Sequence, residues 1–188
     1  LAELRLPAPR DRRGHRVLDG HMTREIVLDT ETTGIAVADG HRIIETSAIV
    51  RYLNDVLPGK SLVPSTPEAR ARMDMVMSVT DSYGYGSLVA GVAAYHLFPD
   101  FVGGKNESMR KAGIDNGLKV ITLAMQAKGD GSFIAGDLSL ADLYLAPIVY
   151  YVSLTPDMGT FLEVPGFADW WRRVQALNSF QETQPNLG

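Results

Sequence analysis

The chain has 188 residues, a formal net charge of −4, 45% apolar and 21% charged residues, and no cysteine. Such values suit one soluble globular domain, or one domain and a fragment of another. They exclude disulfides, thiolate metal sites and a cysteine nucleophile, and the acidic balance offers no global footprint for nucleic acid.

Residues 1–22 are rich in arginine (Arg5, Arg10, Arg12, Arg13, Arg16) and lack an apolar h-region. They read as a disordered leader rather than a secretory signal, with Met22 as a natural start. Ile26, Val27 and Leu28 form a short strand-like run that Gly34 closes. Asp39-Gly40 is a hairpin-type turn signal, and residues 41–44 predict a second short strand.

The period then becomes helical. Ala48, Ile49, Tyr52, Leu53 and Val56 predict a helix with Thr46 as its candidate N-cap. Residues 57–65 read as a linker. Thr66-Pro67-Glu68 is a helix start, with a cap, a proline at the first position and an acid facing the positive helix end. That helix is predicted from Pro67 to about Ala94, weakened by Gly84, Gly86 and Gly91. Residues 98–105 form a loop, and Asn106 caps a second long helix ending near Lys128.

After a turn at 129–136, Ser139-Leu140-Ala141-Asp142 reads as a capping box, with Leu138 and Leu143 placed for a hydrophobic staple. The helix that follows is apolar nearly all round and is expected at the centre of the core. A last helix over 167–177 carries Trp170 and Trp171, expected to clamp it in place. The longest apolar run, 143–152, is too short to cross a membrane and contains Pro147. Absent cysteine and signal sequence, the expected location is cytoplasmic. The fold expectation is mainly α: a leader at 1–22, a two-strand β remnant at 23–45, and a helical bundle at 46–188. A two-strand sheet is marginal by itself in water.

From Asp39 onward the chain resembles bacterial glutathione transferases. The resemblance rests on the segment from Glu45-Thr46-Ser47-Ala48-Ile49 to Tyr52-Leu53, on Leu57-Pro58-Gly59 and on Arg70-Ala71-Arg72-Met73. Asp81-Ser82-Tyr83, the Ser139–Asp142 box and the run from Trp171 to Ser179-Phe180 and Thr183 extend it. It covers about three quarters of the chain. It implies a C-terminal helical domain of that family, glutathione as co-substrate, a small hydrophobic electrophile as the second ligand, and a homodimer or other self-association. Met73, Met75, Val76, Met77 and Val79 make the long helix too apolar for a solvated face, which points the same way. The resemblance places the γ-glutamyl end of glutathione at Glu45 and Thr46. For Thr46, plain helix capping stands as an equal reading. Met75, Ser78, Ser82 and Tyr85 share one face at helical spacing and are the candidates for the electrophile pocket, although such a stripe also reads as core.

Residues 22–45 resemble a different family. Ile26-Val27-Leu28-Asp29-Thr30-Glu31-Thr32-Thr33-Gly34 is similar to the first motif of the proofreading exonuclease (epsilon) subunits. That resemblance implies divalent metal at Asp29 and Glu31, which alternate on one side of a strand. The family's later aspartates and general-base histidine have no counterpart pattern around His96. No metal is therefore expected, and Glu45 is the seam of a possible chimera. The segment 35–38 reads Ile-Ala-Val-Ala where a transferase carries a Val-Pro pair, so the thioredoxin-like half is read as missing. Glutathione transfer is then the lineage, with activity impaired or absent. A non-catalytic helical binding domain and a metal-dependent 3′–5′ exonuclease fragment are the alternatives. Neither a nucleic-acid nor a membrane partner is expected.

Overall fold

The computed structural model describes residues 35–36 and 42–185. The leader, the first predicted strand, Asp29, Glu31, Thr32, Thr33 and the Asp39-Gly40 turn lie outside the described residues. The chain divides into two compact units, Leu1–Ser61 and Leu62–Gly188.

In the first unit, β1 (Ile35–Ala36) pairs antiparallel with β2 (Arg42–Ile43), in the register Ile35 to Ile43 and Ala36 to Arg42. Helix α1 (Thr46–Val56) follows and buries Val50 and Asn54. It was expected to open the helical body, but it groups with the first unit.

Among its described residues the second unit is built of helices, with two isolated β-bridges in the turn at 133–137. Its helix α2 (Pro67–Val79) starts as the sequence indicates, with Thr66 Oγ1 accepting from the Ala69 N–H at 3.3 Å and Pro67 at the first position. Met73, Val76 and Met77 are buried there, and only Met75 of the methionines on this helix faces solvent. The sequence pointed to self-association to cover this apolar stripe; Met73, Val76 and Met77 are instead covered within the unit itself.

Beyond Val79 the helix widens. Thr80–Ala93 is wound as a π-helix before α-geometry resumes in α3 (Ala94–Leu97). A single α-helix was expected here. The segment makes a close crossing with the long helix that follows: a Cβ on Gly91 would sit 2.8 Å from Gly113 Cα, and one on Gly113 would sit 2.7 Å from Ser87 O. Only glycine at both positions permits that approach. A 3₁₀ turn (Pro99–Val102) leads to α4 (Glu107–Lys128), capped as expected by Asn106, whose Oδ1 accepts from the Met109 N–H at 3.0 Å.

Helix α5 (Leu140–Ser153) is the central helix. It packs against α2, the widened segment and α7. Short helices α6 (Met158–Leu162), α7 (Phe167–Gln175) and α8 (Asn178–Glu182) close the unit. The sequence indicated α7, placing its end two residues later, and missed α6 and α8. Leu88, Val92, Ile121, Leu145, Phe161 and Trp170 are among the fully buried side chains that make the core. Among the described residues, no helix is long and apolar enough to cross a membrane.

Candidate functional site

Glu45 and Thr46 stand together at the front of α1. Glu45 is the one non-glycine residue with positive φ among those described, at φ 69° and ψ 124°. An ordinary side chain in this region costs about 1–3 kcal/mol and persists where its surroundings over-determine it. Its non-helical backbone makes Glu45 the cap: its carbonyl accepts from the Ile49 N–H at 3.0 Å. Thr46 is therefore the first helical residue and not the N-cap, which corrects the sequence expectation. No side chain caps this end, and the first turn holds no acidic residue. The result is a positive helix end, a half-buried hydroxyl at Thr46 and an exposed carboxylate at Glu45. Such a set can hold a ligand carrying both a carboxylate and an amine, the first on the N–H groups and the second on Glu45.

The four pocket candidates lie on one continuous helical run whose winding changes after Val79. Met75 and Ser78 lie on α2 and are exposed; Ser82, also exposed, and Tyr85, half-buried, lie on the widened segment. In a π-helix each residue advances by less than the 100° of an α-helix. The α-helical spacing that grouped Tyr85 with Met75 and Ser78 therefore does not hold across Thr80. Within this unit, Met75, Ser78 and Ser82 present a solvent-facing strip.

Ser139 and Asp142 form the box the sequence indicated, inside a larger buried knot. The Asp142 carboxylate is fully buried. One oxygen accepts from the Ser139 N–H at 3.0 Å and the Ser139 hydroxyl at 2.8 Å. The other accepts from the Ile134 N–H and from Trp170 Nε1, both at 2.9 Å. Burial pushes this carboxyl up from the usual carboxylate range, and the four donors pull against that shift. Every lone-pair direction is directed at the protein itself, so the group serves structure. The sequence showed the helix cap but not the Trp170 link, because nothing local signals a partner 28 residues away.

A second polar cluster was not foreseen. Asp157, just before α6, accepts from Arg110 Nε at 2.7 Å and from a second nitrogen of the same guanidinium, and lies 2.9 Å from His96 Nε2. Arg110 also donates to Glu107 at 2.6 Å, and its guanidinium lies over the Tyr95 ring, 5.4 Å from the centroid. The Arg110 hydrogen bonds hold the Asp157 carboxyl below its ordinary range; burial opposes them and His96 adds to them. A hydrogen bond to Glu107 is the main cause that raises the Tyr95 phenol. The cluster ties three distant segments together. Among the described residues, no group of three or more His, Asp or Glu side chains is placed to hold a metal ion.

Comparison with known proteins gives two kinds of match. No family model matches the chain. It is 28% identical over 156 residues to a probable maleylacetoacetate isomerase 1 of Drosophila melanogaster, covering 79% of this chain and 57% of that protein. A second, short match is 62% identical over 37 residues to the DNA polymerase III subunit epsilon of Rickettsia typhi, covering 20% of this chain and 16% of that one. The chain thus spans little more than half of the longer curated relative and a small part of the other. Among solved structures, a glutathione S-transferase III in apo form superposes with a TM-score of 0.67 at 23% identity, covering 80% of this chain and 73% of its own. A glutathione S-transferase from Methylobacillus flagellatus with glutathione bound gives 0.64 at 17% identity, covering 80% and 74%. Over about four fifths of its length, the chain has the glutathione transferase fold.

Proposed function

We propose that this chain is a glutathione-binding protein of glutathione transferase lineage, with conjugation to hydrophobic electrophiles impaired. The observation that carries the reading is the front of α1. Glu45 is held in left-handed backbone beside an uncapped positive helix end, and the neighbouring Thr46 hydroxyl completes a set suited to an α-amino acid head group. The γ-glutamyl end of glutathione is such a group. Met75, Ser78 and Ser82, with Tyr85 beside them, are the proposed contacts for the electrophile. Impairment follows from the sequence ahead of Glu45, where residues 22–34 carry an exonuclease-like motif in place of a transferase's thiolate-activating segment. The cytoplasm and a homodimer remain part of this proposal.

The test is glutathione binding by isothermal titration calorimetry beside conjugation to an aromatic halide. Binding that Glu45→Ala and Thr46→Ala weaken, with conjugation at background, supports the reading. Wild-type binding no tighter than that of the two variants refutes the site, and turnover above background refutes the impairment. The name of the Drosophila relative favours a second reading, isomerisation of maleylacetoacetate, which the same protein samples can be assayed for directly.

A further inference from the structure

Methionine is the only sulfur-bearing residue of this chain, which has seven methionines and no cysteine. A thioether is soft and polarisable, and where no thiol competes it is the sulfur that an oxidant of the peroxide class meets. Met22 lies outside the described residues. The other six methionines fall into two sets. Met73, Met77, Met125 and Met158 are buried, none more than 8% exposed, whereas Met75 is 42% and Met109 37% exposed.

On α2 the division follows from helix geometry. Met73 and Met77, four residues apart, share the inward face, and Met75 between them projects the other way. Met109 stands in the first turn of α4, where the Asn106 cap holds its N–H and leaves its side chain in water. The buried sulfur atoms meet a solute only when their helix opens; the exposed two need no opening. An oxygen added at Met75 or Met109 is solvated at once. One added at Met73 would set a polar group among apolar side chains without a partner.

We infer that Met75 and Met109 are peroxide-oxidation sites that the fold tolerates, and that oxidation of Met75 alters the strip it forms with Ser78 and Ser82. The sulfur lone pair attacks one oxygen of hydrogen peroxide. The S–O bond forms as the O–O bond breaks; the sulfide is oxidised, the peroxide is reduced and, after proton transfer, its second oxygen leaves as water. The product is a polar, chiral sulfoxide, which methionine sulfoxide reductases return to the thioether. Met75 is the one apolar member of the strip, so its sulfoxide makes the strip wholly polar while the core keeps its packing. That consequence rests on the electrophile contacts proposed above; the pattern of oxidation does not.

Dilute hydrogen peroxide on the folded full chain, followed by peptide mapping in a mass spectrometer, tests it. Met75 and Met109 are each expected to gain one oxygen about tenfold or more faster than Met73, Met77, Met125 and Met158. The urea midpoint of the protein oxidised at both sites is expected to match that of untreated protein. Met73 or Met77 reacting at the rate of Met75, Met75 or Met109 reacting as slowly as the buried set, or a lowered midpoint overturns the inference. Calorimetry with the dinitrophenyl conjugate of glutathione tests the strip. Peroxide treatment is expected to weaken binding several-fold in the wild type and to leave Met75→Leu, which is apolar there but cannot be oxidised, binding as it did before treatment. An equal loss in the variant, or no loss in the wild type, overturns the role of Met75 in the strip. Untreated protein that binds no conjugate refutes the function proposed above, and the strip's role with it, while the oxidation pattern is decided by the mapping alone.

Discussion

Replacing Asp142 by alanine should unsettle far more than a helix end. In the structure the carboxylate is fully buried and accepts four hydrogen bonds, from the Ser139 N–H and hydroxyl, the Ile134 N–H and Trp170 Nε1. The Ser139 hydroxyl can rotate to another partner, but the three N–H groups are fixed. Each donor orphaned in the interior costs about 1–3 kcal/mol, so even with partial relaxation the expected loss is about 3–5 kcal/mol. A helix cap alone would account for about 0.5–2 kcal/mol. For a chain of this size the larger loss lowers Tm by roughly 10 °C or more. Urea unfolding can be followed by tryptophan fluorescence, since the only two tryptophans, Trp170 and Trp171, both lie on α7 beside the knot. The double mutant with Trp170→Phe should lose less than the sum of the single losses, because the two side chains share one bond. A loss within the range of a cap, or strict additivity with Trp170→Phe, would refute the reasoning.

Three further outcomes are expected. Gly113→Ala should destabilise the chain by about 1–3 kcal/mol or more, since its Cβ would lie 2.7 Å from Ser87 O and 2.9 Å from Gly91 Cα, whereas Gly86→Ala, with open space around it, should be neutral or stabilising in the same melt. Asp157→Asn should make stability less sensitive to acid: the folded carboxyl lies below its unfolded value, so its contribution is full above the unfolded pKa of about 4 and is lost as pH falls through the folded one. Urea midpoints of wild type and variant should therefore converge from about pH 5 downward; a constant gap would contradict the ion pair's role. Thr80→Val should raise the urea midpoint, because it removes a buried hydroxyl without a partner; a lowered midpoint would show that the hydroxyl is bonded after all.

The parts of this fold that were legible in the sequence are those governed by neighbours along the chain. Thr66-Pro67, Asn106 and the Ser139–Asp142 box each announce a helix start within three or four residues, and each start stands where the residues put it. The winding of 80–93 was not legible, because glycines weaken an α-helix and permit a π-helix alike, and the choice depends on packing against α4 and α5. The cap of α1 was misplaced by one residue for a related reason. Threonine is a common cap and glutamate is not, so propensity favoured Thr46, whereas the positive φ of Glu45 is not a property of its own side chain. The Arg110–Asp157–His96 cluster joins residues 47 and 61 positions apart and left no local pattern to read.

The glycine crossing also bears on how the chain reaches its native state. Gly91 and Gly113 belong to consecutive long helical stretches joined by a short 3₁₀ turn, so their meeting closes only a modest loop. Contacts of such low sequence separation form early, and a helical hairpin of this kind is a natural nucleus for the second unit. The knot at Asp142 draws Trp170 from farther along the chain and would assemble after it. Substitutions at the crossing should then slow folding, while those at the knot should chiefly speed unfolding, so the two arms of a chevron plot would separate the corner that starts the fold from the corner that keeps it.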